Sequence, residues 1–340
     1  MRELTYSGPG RLAWHEIEDP KVTPGGALVR PLAVARCDLD PALVQFGLFP
    51  GSFPVGHEVV AQVVEVGPEV ARVKVGETVL VPFQVSCGAC PACRREHYAA
   101  CETYAAPAGA SFGFGEAGGG HGGAVADLLA VPAADHMLVA APGGVSPAAL
   151  AVLPDNVVDA YRSVGPPLAR EPGADVLIIG GAGQSIGLYA SALALALGAG
   201  SVRYVDRDPL RCAAAERLGA DVTRHDGDWP RRFERAAITV ENTAEPDGLR
   251  CAVQSTEAYG TCTSVAIHFG GAVELPLLSM YTRGITLEVG RCDSRRHVET
   301  VLALVTEGRF DPLAVETTLV GWDEALERWL EPAIKLVVSD

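Results

Sequence analysis

The stretch from Asp175 to Arg211 constrains the fold of this chain more than any other. It begins with the apolar run DVLII, passes through a glycine-rich turn into SIGLYASALALALG, and continues into SVRYVD. The first run suits a buried parallel strand, the segment rich in Ala and Leu suits a helix closed by Gly198, and SVRYVD suits a second strand. A strand, a glycine turn, a helix and a strand ending in an acid form the βαβ unit that binds a dinucleotide.

The residues at the two turns of this unit carry the expected cofactor contacts. Gly181, Gly183 and Gly187 let the backbone approach a pyrophosphate, whose charge is stabilised by the helix N-terminus. Their spacing has one residue more than the usual Gly-x-Gly-x-x-Gly, so an ordinary strand–helix crossover with a tight turn is the alternative. Asp206 ends the second strand, where a carboxylate can accept both hydroxyls of an adenine ribose. This acid favours the dinucleotide interpretation.

Composition excludes several classes of function. The chain has 340 residues, enough for two domains, and 48% of them are hydrophobic. Lys and Arg number 27 against 42 Asp and Glu, a formal net charge of −15, which argues against binding to nucleic acid or to an anionic membrane. The N-terminus shows no signal sequence, and the apolar helix around residues 188–197 is too short to span a bilayer, so we expect a cytoplasmic protein. The nine cysteines are unevenly spaced and predict no disulfide framework.

The pattern of predicted elements changes near Pro142. Before it, short Val-rich segments separated by Pro and Gly turns predict strands, and the glycine-dense residues 109–123 predict a mobile loop near a site. After it, helices alternate with strands, which predicts a doubly wound parallel sheet of six strands. We expect the last fifty or so residues to fold back onto the first domain.

Four cysteines follow one another with the spacing C-x2-C-x2-C-x7-C, at Cys87, Cys90, Cys93 and Cys101. Four thiolates on so short a segment can close around one ion, as in structural zinc sites. An iron–sulfur cluster is the competing interpretation, but the ferredoxin run continues with x3-C-Pro, and here the fourth cysteine comes later with no Pro after it. The spacing therefore favours a closed zinc site that stabilises a lobe over about residues 84–104.

Cys37 and the GHE sequence at Gly56–Glu58 supply further ligand-type side chains. Taken alone, a single His is more often a hydrogen-bonded surface residue, and a single Cys is more often a small core residue. The four-cysteine lobe and the dinucleotide unit in the same chain change these odds.

With these motifs in place, the chain resembles the zinc-dependent medium-chain dehydrogenase/reductase family, the alcohol dehydrogenase family, and within it the bacterial Asp-liganded and formaldehyde-dehydrogenase-like members. The matches are Cys37, the GHE sequence, VGPEVARVKVGETV, the cysteine lobe, the βαβ unit and the closing IKLVV, in the family's order. The resemblance implies an α/β chain with a GroES-like β-rich catalytic domain over residues 1–153 and 291–340. A Rossmann domain, with its doubly wound parallel sheet, would occupy residues 154–290.

The resemblance also implies a catalytic zinc, and hence two zinc ions per chain. Cys37 and His57 fall on the first two ligand positions of the family. Asp155, in LPDNVVDAY, falls on the third, and a helix N-cap is its alternative role. Glu58 would stand behind these ligands, or replace one when the zinc exchanges its water. Such a zinc lowers the pKa of the bound alcohol, and hydride passes from the carbon to the nicotinamide.

The cofactor contacts carry over from the family position by position. The residues expected to line the pyrophosphate and the nicotinamide are Gly181, Gly183, Ser185, Ile186, Val265 and Ile267. Asp206 would bind the adenine ribose, and Arg211 matches a basic position near it. Because Asp206 would repel a 2′-phosphate, we expect NAD rather than NADP, although Arg207 beside it is of a type that can accept a phosphate.

Two positions depart from the family pattern. Leu39 stands where relatives carry the Ser or Thr that relays the alcohol proton, and Asp159 replaces a Thr that contacts the nicotinamide. A segment shortened by two residues would place Asp40 where many relatives have a relay histidine. We therefore predict Asp40 as the proton relay, and direct exchange with water through a more open cleft is the other route. The alternative role of Asp40 is a solvated loop acid or the N-cap of a helix starting at Pro41.

Together these features predict an NAD-dependent zinc oxidoreductase that interconverts an alcohol and its aldehyde or ketone. One alternative is a formaldehyde-dehydrogenase-like or dismutating member with tightly bound NAD. Another is a zinc- and NAD-binding member without turnover, against which the joint presence of Cys37, His57, Glu58 and Asp155 argues. The partner expected is a small-molecule substrate, and the resemblance implies a homodimer or homotetramer.

Overall fold

The computed structural model describes all 340 residues, and the chain forms two compact units. The first unit comprises residues 1–158, 293–313 and 317–340, and the second comprises residues 159–292 and 314–316. The first unit is therefore assembled from both ends of the chain.

The elements are numbered along the chain. The strands are β1 (Arg2–Gly8), β2 (Arg11–Glu16), β3 (Ala27–Arg36), β4 (Phe53–Pro54), β5 (Glu58–Val66), β6 (Thr78–Val81), β7 (Leu129–Val131), β8 (Val139–Ala140), β9 (Val176–Ile179), β10 (Val202–Asp206), β11 (Asp221–Arg224), β12 (Ala236–Glu241), β13 (Thr256–Ser264), β14 (Thr286–Val289), β15 (Thr317–Val320) and β16 (Lys335–Ser339). The α-helices are α1 (Asp40–Phe46), α2 (Ala134–Met137), α3 (Pro147–Ala151), α4 (Val158–Arg170), α5 (Gln184–Ala196), α6 (Pro209–Leu218), α7 (Pro246–Ser255), α8 (Leu277–Arg283), α9 (Ser294–Thr306) and α10 (Ala325–Arg328).

The first unit is built on a sheet with the strand order β15-β16-β3-β5-β6-β8, and β7 also pairs with β3. A smaller sheet has the order β2-β1-β4. The long strand β3 pairs with β5 and with the C-terminal strand β16, both antiparallel. Pro31 lies inside β3 and cannot donate to the ladder, and the register with β5 shifts directly after it. The Val-rich faces of these strands meet in the core of the unit.

Arg36, the last residue of β3, ties the C-terminal segment to this sheet. The guanidinium group is buried and donates to the backbone carbonyls of Trp329 at 2.6 Å, Glu331 at 2.7 Å and Ala333 at 3.3 Å. A guanidinium satisfies several carbonyls at once because its donors are fixed in a planar fork. The end of β3, from which Cys37 projects, is thereby held in place.

The second unit contains the predicted parallel sheet of six strands, in the order β11-β10-β9-β12-β13-β14. All four residues of β9 are buried, as expected of a central parallel strand covered on both faces. The strand order reverses between β9 and β12, and ligands of such sheets bind at the carboxyl ends of the strands at this point. The α/β architecture predicted from the sequence is confirmed.

Helix α7 passes directly into β13. The structure ends this helix at Ser255 and begins β13 at Thr256. The hydroxyl of Thr256 lies 2.7 Å from that of Thr239 and donates to the carbonyl of Ala252, so this side chain bridges helix and sheet. No helix in either unit combines the length and the apolar character needed to cross a membrane.

Candidate active site

Four ligand-type side chains converge in the first unit. Cys37 follows β3, His57 and Glu58 lie at the start of β5, and Asp155 lies in a π-helical turn over Leu153–Val157. One ligand atom from each of the four lies within 4.8 Å of the others, and all four residues are buried. Antiparallel pairing of β3 with β5 sets Ala35 opposite Glu58 and so brings the first three together.

The His57 ring has a carboxylate near each of its nitrogens. Nε2 lies 3.3 Å from Oδ2 of Asp155, and Nδ1 lies 3.7 Å from Oδ1 of Asp40. The other oxygen of Asp40 accepts a hydrogen bond from the backbone N–H of Cys37 at 3.1 Å. The N-cap position of α1 is Leu39 and has no side-chain cap, so Asp40 faces the imidazole and does not cap the helix. A carboxylate on the outer nitrogen is a common way to orient a metal-binding histidine.

Glu58 is paired with a lysine from the other end of the chain. Nζ of Lys335 lies 2.8 Å from both carboxylate oxygens of Glu58, and both side chains are fully buried. Both oxygens of Glu58 therefore already accept a hydrogen bond from an ammonium group. Sequence reasoning missed Lys335, whose only signal is a single cation within the apolar run AIKLVV.

The charges in this cluster are unbalanced towards the negative. Burial raises the pKa of the Cys37 thiol well above its ordinary value, and the nearby carboxylates of Asp155 and Glu58 raise it further. Burial lowers the pKa of His57, but Asp40 and Asp155 outweigh this and bring the pKa to about 9. Buried negative groups that all favour a nearby positive charge are suited to hold a cation.

The donor set fits zinc. A thiolate, an imidazole and a carboxylate are ordinary zinc ligands, and three protein ligands leave a position open, as in catalytic zinc sites. Cys37, His57 and Asp155 supply this set, while the carboxylate of Glu58 is bound by Lys335. Asn156, which the sequence did not single out, lies with its Oδ1 3.3 Å from the Cys37 sulfur.

The glycine-dense segment lies against His57. A Cβ atom on Gly113 would stand 2.8 Å from the carbonyl oxygen of Gly56 and 3.2 Å from Nδ1 of His57, and φ is +75° there. Only glycine fits such a position without strain. The ring centroids of Phe83 and Phe114 lie 5.3 Å and 4.9 Å from the centroid of the imidazole. These two rings limit the access of water to the cluster.

The four cysteines of the lobe also come together, with their sulfurs within 4.8 Å of one another. All nine cysteines of the chain are free thiols. The sulfur of Cys90 accepts backbone N–H groups from Cys93 and Glu102, which lower its pKa to about 6. The sulfur of Cys87 accepts from the Thr103 hydroxyl at 3.2 Å. Donors arranged around sulfur favour thiolates, and four thiolates fit a closed zinc site.

The lobe is fastened to the rest of its unit through Asp293, just before α9. Its carboxylate accepts the backbone N–H groups of Tyr98 at 2.9 Å and Ala99 at 3.4 Å. On the other side of the lobe, the Ser86 hydroxyl lies 2.8 Å from Nε2 of His136. Burial lowers the pKa of His136 to about 4, so the ring is neutral near neutral pH.

In the second unit, the glycine turn follows β9 at the switch point of the sheet. A Cβ on Gly181 would stand 2.6 Å from the Thr243 backbone, and one on Gly183 would stand 2.7 Å from Oδ1 of Asn242. The side-chain oxygen and nitrogen of Asn242 are both buried without a hydrogen-bond partner. Buried polar atoms without partners are rare and are accounted for when a polar ligand binds beside them. The turn therefore fits a dinucleotide, and Ser185 and Ile186 lie at the start of α5 beside it.

Asp206 is almost fully buried at the end of β10. One oxygen accepts from the backbone N–H of Asp208 at 2.9 Å and from Arg211 at 2.8 Å. The other accepts from the Tyr204 hydroxyl and from Nε of Arg211, both at 2.7 Å. A carboxylate has about four acceptor positions. Those of Asp206 are all occupied by the protein, so a ribose hydroxyl has to replace one of these partners.

The remaining predicted cofactor residues lie after β13. Val265 is buried and donates its backbone N–H to the Glu241 carbonyl at 3.0 Å, whereas Ile267 is 52% exposed. Asp159, which replaces the Thr of the family, forms a buried ion pair with Arg162. Arg162 in turn donates to the carbonyl of Gly290 at 2.7 Å.

Comparison with known proteins agrees with this arrangement. The family model described as the alcohol dehydrogenase GroES-like domain matches residues 23–143, and that described as zinc-binding dehydrogenase matches residues 185–307. A Mycobacterium tuberculosis protein described as a probable zinc-binding alcohol dehydrogenase is 30% identical, over 96% of this chain and 83% of the relative. The glutathione-independent formaldehyde dehydrogenase of Pseudomonas aeruginosa is 31% identical, over 85% of this chain and 73% of the relative. The structure of an alcohol dehydrogenase from Thermus sp. ATN1 superposes with a TM-score of 0.88 at 27% identity, and the match covers 100% of this chain and 99% of that one.

Proposed function

Because the chain belongs to the zinc-dependent medium-chain dehydrogenase/reductase family, whose members are oxidoreductases of the alcohol dehydrogenase type, we propose that it uses NAD to interconvert an alcohol and its aldehyde or ketone. The observation that carries this proposal is the buried set of Cys37, His57, Glu58 and Asp155. Lys335 already balances the charge of Glu58, but the thiol, the imidazole and the further carboxylate that meet in this buried site form an ordinary ligand set for zinc.

In this proposal Cys37, His57 and Asp155 would hold a catalytic zinc. When bound, zinc supplies a Lewis acid that acidifies an alcohol or polarises a carbonyl, and the nicotinamide supplies the hydride acceptor or donor. The protein's own part is positioning. Asp40 lies beside the His57 ring, with 3.7 Å between its Oδ1 and Nδ1, and Lys335 holds the carboxylate of Glu58. The four cysteines of the lobe would hold a second, structural zinc.

The preference for NAD is supported by the charges at the carboxyl end of β10. Asp208 and Glu245 lie here with their carboxylates 37% and 46% exposed, besides the buried Asp206. A 2′-phosphate placed among these carboxylates meets like charges at short range, which disfavours its binding.

The test is reduction of NAD and of NADP with a panel of primary and secondary alcohols, followed through the absorbance of the reduced nicotinamide. We expect turnover with at least one alcohol, and a kcat/KM higher with NAD than with NADP by about tenfold or more. No reduction by any alcohol, in protein with its full zinc content, would contradict the proposed activity and favour a binding protein without turnover. A preference for NADP would overturn the cofactor assignment alone.

A formaldehyde-dehydrogenase-like or dismutating activity with tightly bound NAD is the second candidate. It is supported by Asp155 and by the similarity to the formaldehyde dehydrogenase of Pseudomonas aeruginosa. Two further measurements separate this candidate from the first: in this case NAD remains bound through purification, and aldehyde turns over without added cofactor.

We further propose Asp40 as the group that carries the alcohol proton, since Leu39 has no hydroxyl to do so. Asp40→Asn should then slow alcohol oxidation most at low pH, where solvent bases are scarce, and added small buffers should partly restore the rate. At still lower pH the carboxyl of Asp40 is itself protonated, so the wild type should lose this route and its difference from the variant should shrink. Because burial raises the pKa of Asp40, this should happen at a higher pH than an ordinary carboxyl would set. If Asp40 only orients His57, the variant will lose rate at every pH, and buffers will have no effect.

The oligomeric state is proposed to be a homodimer or homotetramer. Support comes from the second unit, where β14 is an edge strand of the sheet. Large side chains here are exposed, namely Tyr259, Leu277, Leu278, Tyr281 and Val289. An open sheet edge beside exposed apolar groups is typical of an interface between subunits.

A further inference from the structure

Arg207 is held by two neighbours at the carboxyl end of β10, directly after Asp206. Its Nη1 lies 2.7 Å from Oε1 of Glu245, and its guanidinium carbon lies 4.3 Å from the centre of the Trp229 ring. The second oxygen of Glu245 accepts from Nε1 of Trp229 at 3.0 Å. The carboxylate of Glu245 thus fixes both the guanidinium of Arg207 and the indole ring of Trp229 against which that guanidinium packs.

This arrangement bears on the choice between NAD and NADP, because Asp206 repels a 2′-phosphate less than its position in the sequence suggests. Its charge is neutralised by the bidentate pair with Arg211, and all of its acceptor positions are filled. A neutralised carboxylate repels a phosphate less than a lone one does. The choice of cofactor therefore depends more on whether Arg207, the next residue along the chain, is free to bind a phosphate.

We propose that Glu245 is a specificity-determining residue, which holds Arg207 against Trp229 and so denies a cationic partner to the 2′-phosphate of NADP. The inference rests on the proposed preference for NAD and names the residue that maintains it. Glu245 acts in two ways: it occupies the guanidinium, and its own negative charge repels a phosphate that would bind there.

The chemistry of the pair makes this competition direct. A guanidinium binds carboxylate and phosphate through the same fork of N–H donors, so Arg207 cannot pair fully with both. The side chains of Arg207 and Glu245 are 36% and 46% exposed, and an exposed pair of this kind contributes little to the stability of the fold. Removing one charge from Glu245 is therefore enough to free the guanidinium without disturbing the sheet.

The experiment compares two fragments that carry only the adenosine end of the cofactor. Binding of adenosine 5′-monophosphate and of adenosine 2′,5′-bisphosphate to the full-length protein is measured by calorimetry, so that neither zinc nor turnover enters the result. The variants are Glu245→Gln, Arg207→Ala and the double variant. Glu216→Gln is the matched control. Glu216 is an exposed residue in the last turn of α6, and its replacement removes the same charge as Glu245→Gln does.

We expect the wild type to prefer the monophosphate. Glu245→Gln should shift the ratio of the two affinities towards the bisphosphate by about tenfold, the effect of a charge-assisted hydrogen bond to phosphate. The shift should vanish in the double variant and be absent in Glu216→Gln. An unchanged ratio in Glu245→Gln, or a shift that survives Arg207→Ala, would overturn the role of Glu245. A wild type that itself prefers the bisphosphate would instead overturn the proposed preference for NAD.

Discussion

Replacing His57 with Ala should lower kcat/KM for alcohol oxidation by at least about 10⁴-fold and leave the protein folded, because a catalytic zinc contributes several kcal/mol to the transition state. His57 is 1% exposed and lies between Asp155 and Asp40, so its loss leaves these buried carboxylates without the imidazole between them. The zinc content should fall from two ions per chain to one, because the four-cysteine lobe has its own ligands.

His15→Ala is the matched control, since His15 is an exposed histidine of the same unit, on β2. It should retain full activity and both zinc ions. Elemental analysis and circular dichroism, measured alongside the kinetics, separate loss of the site from loss of the fold. A His57→Ala protein that keeps two zinc ions and most of its activity would contradict the assignment of this residue as a ligand.

Replacing Cys93 with Ser should lower the free energy of unfolding by about 3 kcal/mol or more, because binding of a structural zinc contributes directly to folding. Cys93 is buried, and its sulfur lies 3.9 Å from that of Cys87. The variant should contain one zinc ion per chain. Stability is measured by chemical denaturation with and without a chelator, and chelation should destabilise the wild type more than the variant.

Cys251→Ser measures the cost of a hydroxyl at a buried cysteine with no metal nearby. Cys251 lies on α7 in the core of the second unit, where its sulfur is 4.0 Å from the Ser255 hydroxyl. We expect Cys251→Ser to lower the free energy of unfolding by roughly 1–2 kcal/mol and to leave the zinc content unchanged. Equal losses of stability in Cys93→Ser and Cys251→Ser, with one zinc ion per chain in the wild type and in both variants, would mean that the lobe holds no structural metal. Detection of iron would instead favour an iron–sulfur cluster in the lobe.

The features that the sequence predicts well are those determined by neighbouring residues. The βαβ unit shows itself through apolar runs, the glycine turn and the acid at the end of β10, all within a short stretch of chain. The cysteine spacing predicts a cluster of thiols for the same reason, because so short a segment has few ways to arrange four sulfurs. The strands of the first unit are visible as Val-rich segments between turns.

The features that the sequence could not predict depend on partners far along the chain. Glu58 and Lys335 are 277 positions apart, and only the pairing of β16 with β3 and of β3 with β5 brings them into contact. The orientation of Asp40 towards His57 likewise depends on the path of the chain after β3. No local pattern encodes such contacts, because they result from the packing of strands that are remote in sequence.

The sequence by itself determined the α/β architecture, the βαβ unit and the clustering of the four cysteines, because these follow from periodicity, glycine positions and the spacing of cysteines. The tertiary structure alone decided which charges neutralise which. It pairs Asp206 with Arg211, Glu58 with Lys335 and Arg207 with Glu245. The physical reason is that the energy of a charge in a protein depends on burial and on the nearest opposite charge, and both are properties of the folded chain.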